Sequence, residues 1–264
     1  MTTTGEGARI TVERDGAVLL MGWNRPDKRN AADFSLLQAL CAAYGELERD
    51  PGLRVGFVFA HGDHFTGGLD LADVSPRIGP DGLSIVPEGG LDPWRVSGPG
   101  TSKPIVVAVQ GTCLTLGIEL MLASDIVVAA ESTTFGQIEV ARGILPFGGA
   151  TVRLPRAIGW GNAMRWMLTA DTFDAAEALR LGLVQEVVPH GEQFARGLEL
   201  AHRVAAQAPL AVQATLASAR AAVDDPIAAA AALQPELVRL AATEDVRIGM
   251  QAFLSRQPAE FIGK

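Results

Sequence analysis

Two cysteines, one tyrosine and four histidines are few for a chain of 264 residues, and each shortage closes off a class of function. Cys41 lies on the apolar stripe of an expected helix and Cys113 follows an expected strand, so both read as small buried hydrophobes rather than disulfide partners. His61, His64, His190 and His202 lack ligand spacing, and the first two flank the turn Gly62-Asp63, so no metal is expected. Long apolar runs are missing too: Pro104 to Val109 and Ile126 to Ala130 fall short of the roughly 20 residues a bilayer requires, so no membrane partner is expected. Met1 to Ile10 shows neither the apolar core of a secretory signal nor the Arg-rich pattern of a transit peptide, which makes a cytoplasmic protein the expectation. Positive charge is also short, with 22 Lys and Arg against 30 Asp and Glu, a formal net charge of −8 and no basic block. Nucleic acid would be repelled, and an anionic ligand would need a few local basic groups and helix N-termini.

What is present is enough apolar residue, 48%, to build one full core with an appended helical region. Arg9 to Arg14 and Ala17 to Trp23 flank the turn signal Asp15-Gly16 and predict a β-hairpin. From the N-cap residue Asp33, the apolar positions Leu36, Leu37, Leu40, Cys41, Tyr44 and Leu47 recur at helical steps until Asp50-Pro51-Gly52. Val55 to Ala60, Ile105 to Val109 and Ile126 to Ala130 read as strands buried on both faces, and their alternation with helical patterns predicts an α/β domain. Beyond about Leu154 the chain turns Ala- and Leu-rich, with helices expected over Asn162 to Ala170, Ala175 to Leu181, Gln193 to Ala206, Leu210 to Val223 and Glu244 to Leu254. Pro235 predicts a break or kink between Ile227 to Leu233 and Glu236 to Ala242. Asp73 to Thr101 is punctuated by prolines and glycines and reads as irregular chain, a lid over a site or a plain loop.

The chemistry concentrates in three places. Glu119 follows Gly117 in the first turn of an apolar helix, where a carboxylate is at home against the helix dipole. Glu139 follows Phe135-Gly136-Gln137 and precedes a run of turn residues, a loop setting suited to catalysis. Two carboxyl groups sharing a pocket can divide acid and base work, although most carboxylates are only solvated surface charges. The third place is Phe65 to Leu71, whose Gly67-Gly68 makes either a tight turn or a backbone that a ligand can approach. Main-chain N–H groups of Gly67 and of Leu116, just before the Glu119 helix, would form an oxyanion hole if aimed at one point. One good donor of that kind contributes roughly 3–4 kcal/mol.

These segments together resemble the crotonase superfamily, the enoyl-CoA hydratase and isomerase group, over nearly the whole chain. The resemblance rests on Asn24-Arg25-Pro26 with Lys28-Arg29-Asn30-Ala31, Phe65 to Leu71, Gly117 to Leu120, Phe135 to Glu139, Pro146 to Gly149 and the closing Thr243-Glu244-Asp245. It implies an α/β spiral of ββα units over residues 1–200 and a helical region over 201–264 that closes homotrimers or dimers of trimers. It further implies an acyl-CoA substrate without a separate cofactor, with Glu119 and Glu139 as the acid/base pair and Gly67 and Leu116 as oxyanion donors. Arg25 and Lys28 would meet the coenzyme's phosphates, and Gly67, Gly68 and Leu69 its adenine. Asp70 and Leu71 complete the glycine-turn contact, and Phe261 and Lys264 resemble C-terminal residues that reach the coenzyme.

The chain departs from the family pattern at two points. Thr115-Leu116-Gly117 replaces the usual glycine run, and Phe147 stands where hydratases commonly have glycine, so both side chains crowd the expected acyl pocket. Reversible hydration of a trans-2-enoyl-CoA is the leading expectation. An isomerase or another lyase working through Glu139 is the second, and an acyl-CoA-binding protein without turnover the third.

Overall fold

The turn at Asp15-Gly16 folds the first two strands into an antiparallel pair, β1 (Ile10–Asp15) and β2 (Val18–Trp23), with Gly16 in the left-handed region that a side chain would strain. The structure is a computed structural model and describes residues 7–264. Helix α1 (Phe34–Arg49) starts where the Asp33 carboxylate accepts the Leu36 N–H at 2.9 Å, and it buries the apolar stripe of the sequence, Leu36 to Leu47. Parallel strands β3 (Val55–Ala60), β4 (Ile105–Val109), β6 (Ile126–Ala130) and β9 (Glu186–Val188) then extend the sheet in the order β1-β2-β3-β4-β6-β9. A second sheet holds β5 (Thr112–Leu114), β7 (Thr134–Gly136) and β8 (Thr172–Asp174).

Each turn of the spiral runs from the first sheet to the second and then into a helix. β4 passes through Gly111, where an added Cβ would stand 2.1 Å from the Asp63 carbonyl, into β5 and helix α3 (Leu116–Ala123). β6 passes into β7 and a 3-10 turn, Glu139–Arg142. One turn earlier, β3 leads to Thr66, which bridges Cys113 beside the second sheet, and on to the short helix α2 (Leu71–Val74). The glycine turn, the α3 start and the Glu139 turn are thus equivalent corners of three successive coils, and equivalence in a spiral brings them to one end of the molecule.

One core lies between the sheets, α1 and α3, and a second lies on the outer face of the large sheet. There Val18, Leu20, Val55, Phe57, Val106 and Ala108 meet Ala201 and Ala205 of α7 (Gln193–Ala205). Because α7 straddles residue 200 and packs on the sheet along its length, the packed core runs to Ala205.

The helical remainder comprises α4 (Ala150–Ile158), α5 (Trp160–Thr169), α6 (Ala175–Leu181), α8 (Pro209–Asp224), α9 (Pro226–Ala241) and α10 (Glu244–Ser255). Two sequence expectations fail here. Pro235 does not break α9, because the i−4 carbonyl it leaves without an N–H belongs to Ala231 on an exposed face, where water satisfies it. The expected helix over Asn162 to Ala170 is present as α5, but α4 from Ala150, which tolerates Pro155, is an additional one, and the three-residue strands β8 and β9 interrupt the stretch read as wholly helical. The segment 75–104 is irregular apart from a 3-10 turn at Ser75–Arg77, as its prolines and glycines predict. No helix among the described residues is long and apolar enough to cross a membrane.

Candidate active site

Glu119 sits in the first turn of α3, only 3% exposed, with Oε1 accepting the Ala150 N–H at 3.1 Å from the start of α4. A Cβ on Gly148 would fall 2.5 Å from Glu119 Oε2, so only glycine lets this loop close over the carboxyl group. Burial pushes the Glu119 carboxyl up to about 7, against the opposing pull of the backbone N–H groups at Ala150, Gly148 and Gly149. Glu139 opens its 3-10 turn and is 5% exposed. Burial is again the main cause that raises its carboxyl to about 7, and the nearby Glu119 adds to it. Two carboxyl groups raised in this way within one cavity disfavour the doubly ionised state, an arrangement that can divide acid and base work. The fully buried Gln137 has its side-chain amide between two acceptors, Glu139 Oε1 at 3.2 Å and the Thr115 carbonyl at 3.1 Å, so its NH2 points at them and fixes the Glu139 carboxyl.

Both glutamates line one cavity of about 370 Å³ together with Gly67, Leu69, Leu71, Thr115, Leu116, Phe147 and Gly148. Apolar lining comes from Leu83, Ile85, Trp94 and Val96 of the irregular segment, Leu37 of α1, Ile138 and Ile144, with Asp81, Asp92, Ser97 and Arg142 among them. The segment is therefore a wall of the cavity, and two buried hydrogen-bonding residues hold it. The Asp92 carboxylate accepts the N–H groups of Trp94, Val96 and Ser97 at 2.7–2.9 Å, and the Trp94 indole donates to the Leu116 carbonyl at 2.9 Å.

The backbone donors differ from the sequence expectation at one position. The Gly67 N–H donates to the Arg29 carbonyl at 2.7 Å, so it is not available as an oxyanion donor. Its neighbours are engaged as well: Thr66 with the Thr112 carbonyl, Gly68 with Thr66 Oγ1 and Asp70 with the Ala32 carbonyl. The N–H left over in this turn is that of Leu69, which has no acceptor among the described residues. Across the cavity, the Thr115 carbonyl is taken by Glu119 N–H and Gln137, and because a trans peptide points its N–H away from its C=O, the Leu116 N–H faces the other way. As the first residue of α3 it has no intrahelical partner. The bend that achieves this holds Thr115 at φ 49°, ψ −113°, a conformation unusual for a β-branched residue. The Leu116 side chain is 7% exposed and packs in the core, so its bulk does not close the cavity.

A family model described as enoyl-CoA hydratase/isomerase matches residues 13–264. The chain belongs to the enoyl-CoA hydratase/isomerase family. Enoyl-CoA hydratase EchA19 of Mycobacterium tuberculosis is 33% identical over 266 residues, covering 99% of this chain and 99% of that protein. The 2,3-dehydroadipyl-CoA hydratase of Escherichia coli is 32% identical over 259 residues, 97% of this chain and 100% of its own. The fold matches the crystal structure of a probable enoyl-CoA hydratase/isomerase from Mycobacterium abscessus with a TM-score of 0.94 at 55% identity, covering 97% of this chain and 99% of that one.

Within this enoyl-CoA hydratase/isomerase scaffold, several residues expected to touch the coenzyme are occupied elsewhere. Arg25 donates to Asp70 at 2.7 Å and to the Ala31 carbonyl at 2.9 Å, with Asp33 at 3.4 Å; its side chain is 13% exposed. Its charge is neutralised within the protein, and it holds the Asp70 carboxyl below the usual carboxylate range. Arg25 and Asp70 therefore position the glycine turn rather than meet phosphate. Lys28, in contrast, is exposed on the 3-10 turn Pro26–Lys28 with no carboxylate in ion-pair range among the described residues. Gly68, at φ 102°, is needed because a Cβ would stand 2.5 Å from Thr115 Oγ1, and it does not line the cavity. Phe261 and Lys264 lie outside the cavity as well: the Phe261 carbonyl accepts from Arg54, and the Lys264 carbonyl accepts the Glu244 and Asp245 N–H groups at the start of α10. Phe147 lines the cavity with its ring 45% exposed. Sequence reasoning assigned no role to Asp92, whose bonds run to its own turn two to five residues on, to Gln137, which reaches Glu139 within the same motif, or to Trp94, whose bond to Leu116 spans 22 residues; it placed Leu69 at the adenine and not as an unpaired donor.

Proposed function

We propose that the protein adds water reversibly to a trans-2-enoyl-CoA thioester, giving the 3-hydroxyacyl-CoA. The observation that carries this reading is the pair of buried carboxyl groups in one cavity with two unpaired main-chain N–H groups. The thioester oxygen would accept from Leu69 and Leu116 N–H, which stabilises the negative charge that develops there as water adds. Ionised carboxylate at one glutamate takes a proton from water as its oxygen bonds to C3, and the protonated partner delivers a proton to C2, so one water is consumed and the pair ends with its proton exchanged between sites. Glu139 is assigned the proton at C2, and Glu119 with Glu139 holds the water. These groups complete the reaction without a metal or organic cofactor.

The aliphatic wall supports an acyl group of apolar character, and exposed Lys28 supports a place for coenzyme phosphate at the outer rim. The bare apolar faces of α8–α10 support a homotrimer or a dimer of trimers. Incubation of the protein with trans-2-enoyl-CoA thioesters of graded chain length, followed by loss of the conjugated thioester absorbance, tests the reading. Hydration of at least one chain length is expected. Double-bond migration without hydration would assign the isomerase instead, and tight binding with no exchange of the C2 proton into heavy water would leave a binding protein.

A further inference from the structure

Arg153 on α4 has no assigned part in the chemistry, yet its surroundings are unusual. The guanidinium is half-buried and has no carboxylate within ion-pair distance among the described residues. Its Nη2 donates to the Arg95 carbonyl at 3.0 Å, and its Nη1 lies 3.4 Å from the Gly148 carbonyl. A Cβ on Gly149 would meet Nη1 at 2.1 Å, so the glycine there leaves the space the guanidinium fills. Arg95, which offers the accepting carbonyl, is itself in the left-handed region at φ 55°. A non-glycine residue is kept in that conformation only where surrounding contacts enforce it. The other side of the same turn is fixed by the three N–H groups on Asp92 and by the Trp94 indole on the Leu116 carbonyl.

We propose that Arg153 is a positioning residue that bolts the 92–97 turn to the Gly148–Ala150 loop around Glu119 and supplies the positive charge that the buried Glu119 carboxyl faces from α4. Segment 92–97 is thereby clamped between the two halves of the site, by Trp94 to the oxyanion residue Leu116 and by Arg153 to the Glu119 loop. Half-burial with neutral carbonyl acceptors and no carboxylate in ion-pair range is costly for an arginine of purely structural function, because a neutral side chain could fill the space. The charge gains its place from the carboxylates beyond it. Arg153 faces Asp92, Glu119 and, across the clamped turn, Arg95, while Asp81, Asp92, Glu139 and Arg142 line the same cavity as Glu119. After the N–H groups of Ala150 and Gly148, Arg153 favours the ionised form of Glu119 against the burial that favours the protonated one. Removal of that charge raises the pH at which Glu119 ionises, and lysine, which keeps charge but not the two-pronged grip, separates the electrostatic role from the clamp.

The inference rests on the assignment of Glu119 to the chemistry, and a titration in the resting protein tests it independently of turnover. Glutamate 13C-labelled at the side-chain carboxyl is followed by NMR across pH in the wild type, Arg153→Gln and Arg153→Lys, with Glu119 identified as the resonance lost in Glu119→Gln. In Arg153→Gln the midpoint of that resonance is expected to rise by about half to one pH unit, and in Arg153→Lys to stay near the wild-type value. The clamp is read separately as a loss of roughly 10-fold or more in kcat/KM on an enoyl-CoA for Arg153→Lys and for Trp94→Phe, which removes only the indole donor. An unmoved midpoint in folded Arg153→Gln would overturn the electrostatic role, and unaltered kcat/KM in both Arg153→Lys and Trp94→Phe would overturn the clamp. Should Arg153→Gln fail to fold, a midpoint for Arg153→Lys displaced as far as half a unit decides against the charge. Wild-type protein that titrates as expected but turns over no enoyl-CoA would remove the functional reading and leave the electrostatic one standing.

Discussion

A carboxyl group as deeply buried as Glu119 is costly to ionise, and this gives the residue-scale behaviour a definite sign. Its folded value of about 7 lies above the ordinary 4.5, so the folded state holds a proton that the unfolded chain has already released between those two pH values. Stability contributed by the protonated form is present below about 4.5 and is lost as the pH climbs towards about 7, and the same holds for Glu139. Glu119→Gln, which keeps an oxygen for the Ala150 N–H but carries no charge, is expected to be more stable than the wild type by about 1–3 kcal/mol at pH 8. The difference should shrink towards zero at pH 5. Urea denaturation at the two pH values checks this, and an equal difference at both would show that burial does not hold the proton. At this scale the motifs single out the two glutamates and Leu116, which the structure brings to one cavity, but they cannot tell the Gly67 N–H from the Leu69 N–H. Which amide stays unpaired depends on the Arg29 carbonyl, brought in from another part of the chain.

At the scale of elements, the site exists because three corners of the spiral fall at equivalent positions, which depends on the sheet staying flush against its covering helices. Helix α7 approaches the large sheet closely at Gly197, where an added Cβ would lie 2.7 Å from Phe57 Cε2 and 3.2 Å from Ala108 Cβ. Gly197→Leu is expected to lift α7 from β3 and β4 and lower stability by about 1–3 kcal/mol or more, measured by thermal or urea unfolding. A neutral result would mean that α7 does not pack on the sheet as described. The elements that the sequence shows best are those with a strong period: α1 with its Asp33 cap, the hairpin, and the buried runs β3, β4 and β6. Three-residue strands such as β5, β7 and β8 are too short to carry a period, and Pro235 marks a break that the exposed helix α9 does not make. The prolines and glycines mark the irregular segment and Asp92 folds its own turn through bonds two to five residues on, but the seat of Trp94 on the Leu116 carbonyl, 22 residues away, follows no spacing rule.

For the whole molecule, the surface of the last three helices is the feature that a single chain leaves unexplained. Ile227 and Phe253 are each 83% exposed, and Leu233, Leu237, Val238, Met250 and Leu254 are exposed beside them. In the proposed homotrimer or dimer of trimers, other copies would cover this apolar surface, and a closed ring would do so without leaving an edge. The pair Phe253→Asp and Leu254→Lys is expected to reduce the mass seen by analytical ultracentrifugation to that of smaller species while leaving the spiral core folded. An unchanged mass would place the contact elsewhere.

The most direct measurement is kcat/KM for hydration of one trans-2-enoyl-CoA by the wild type, Glu119→Gln and Glu139→Gln. Shared acid/base work by two glutamates in one cavity predicts that each single replacement lowers kcat/KM by roughly 100-fold or more. Full activity in either variant, or a severe loss in Glu139→Gln beside a mild one in Glu119→Gln, would contradict hydration by the pair.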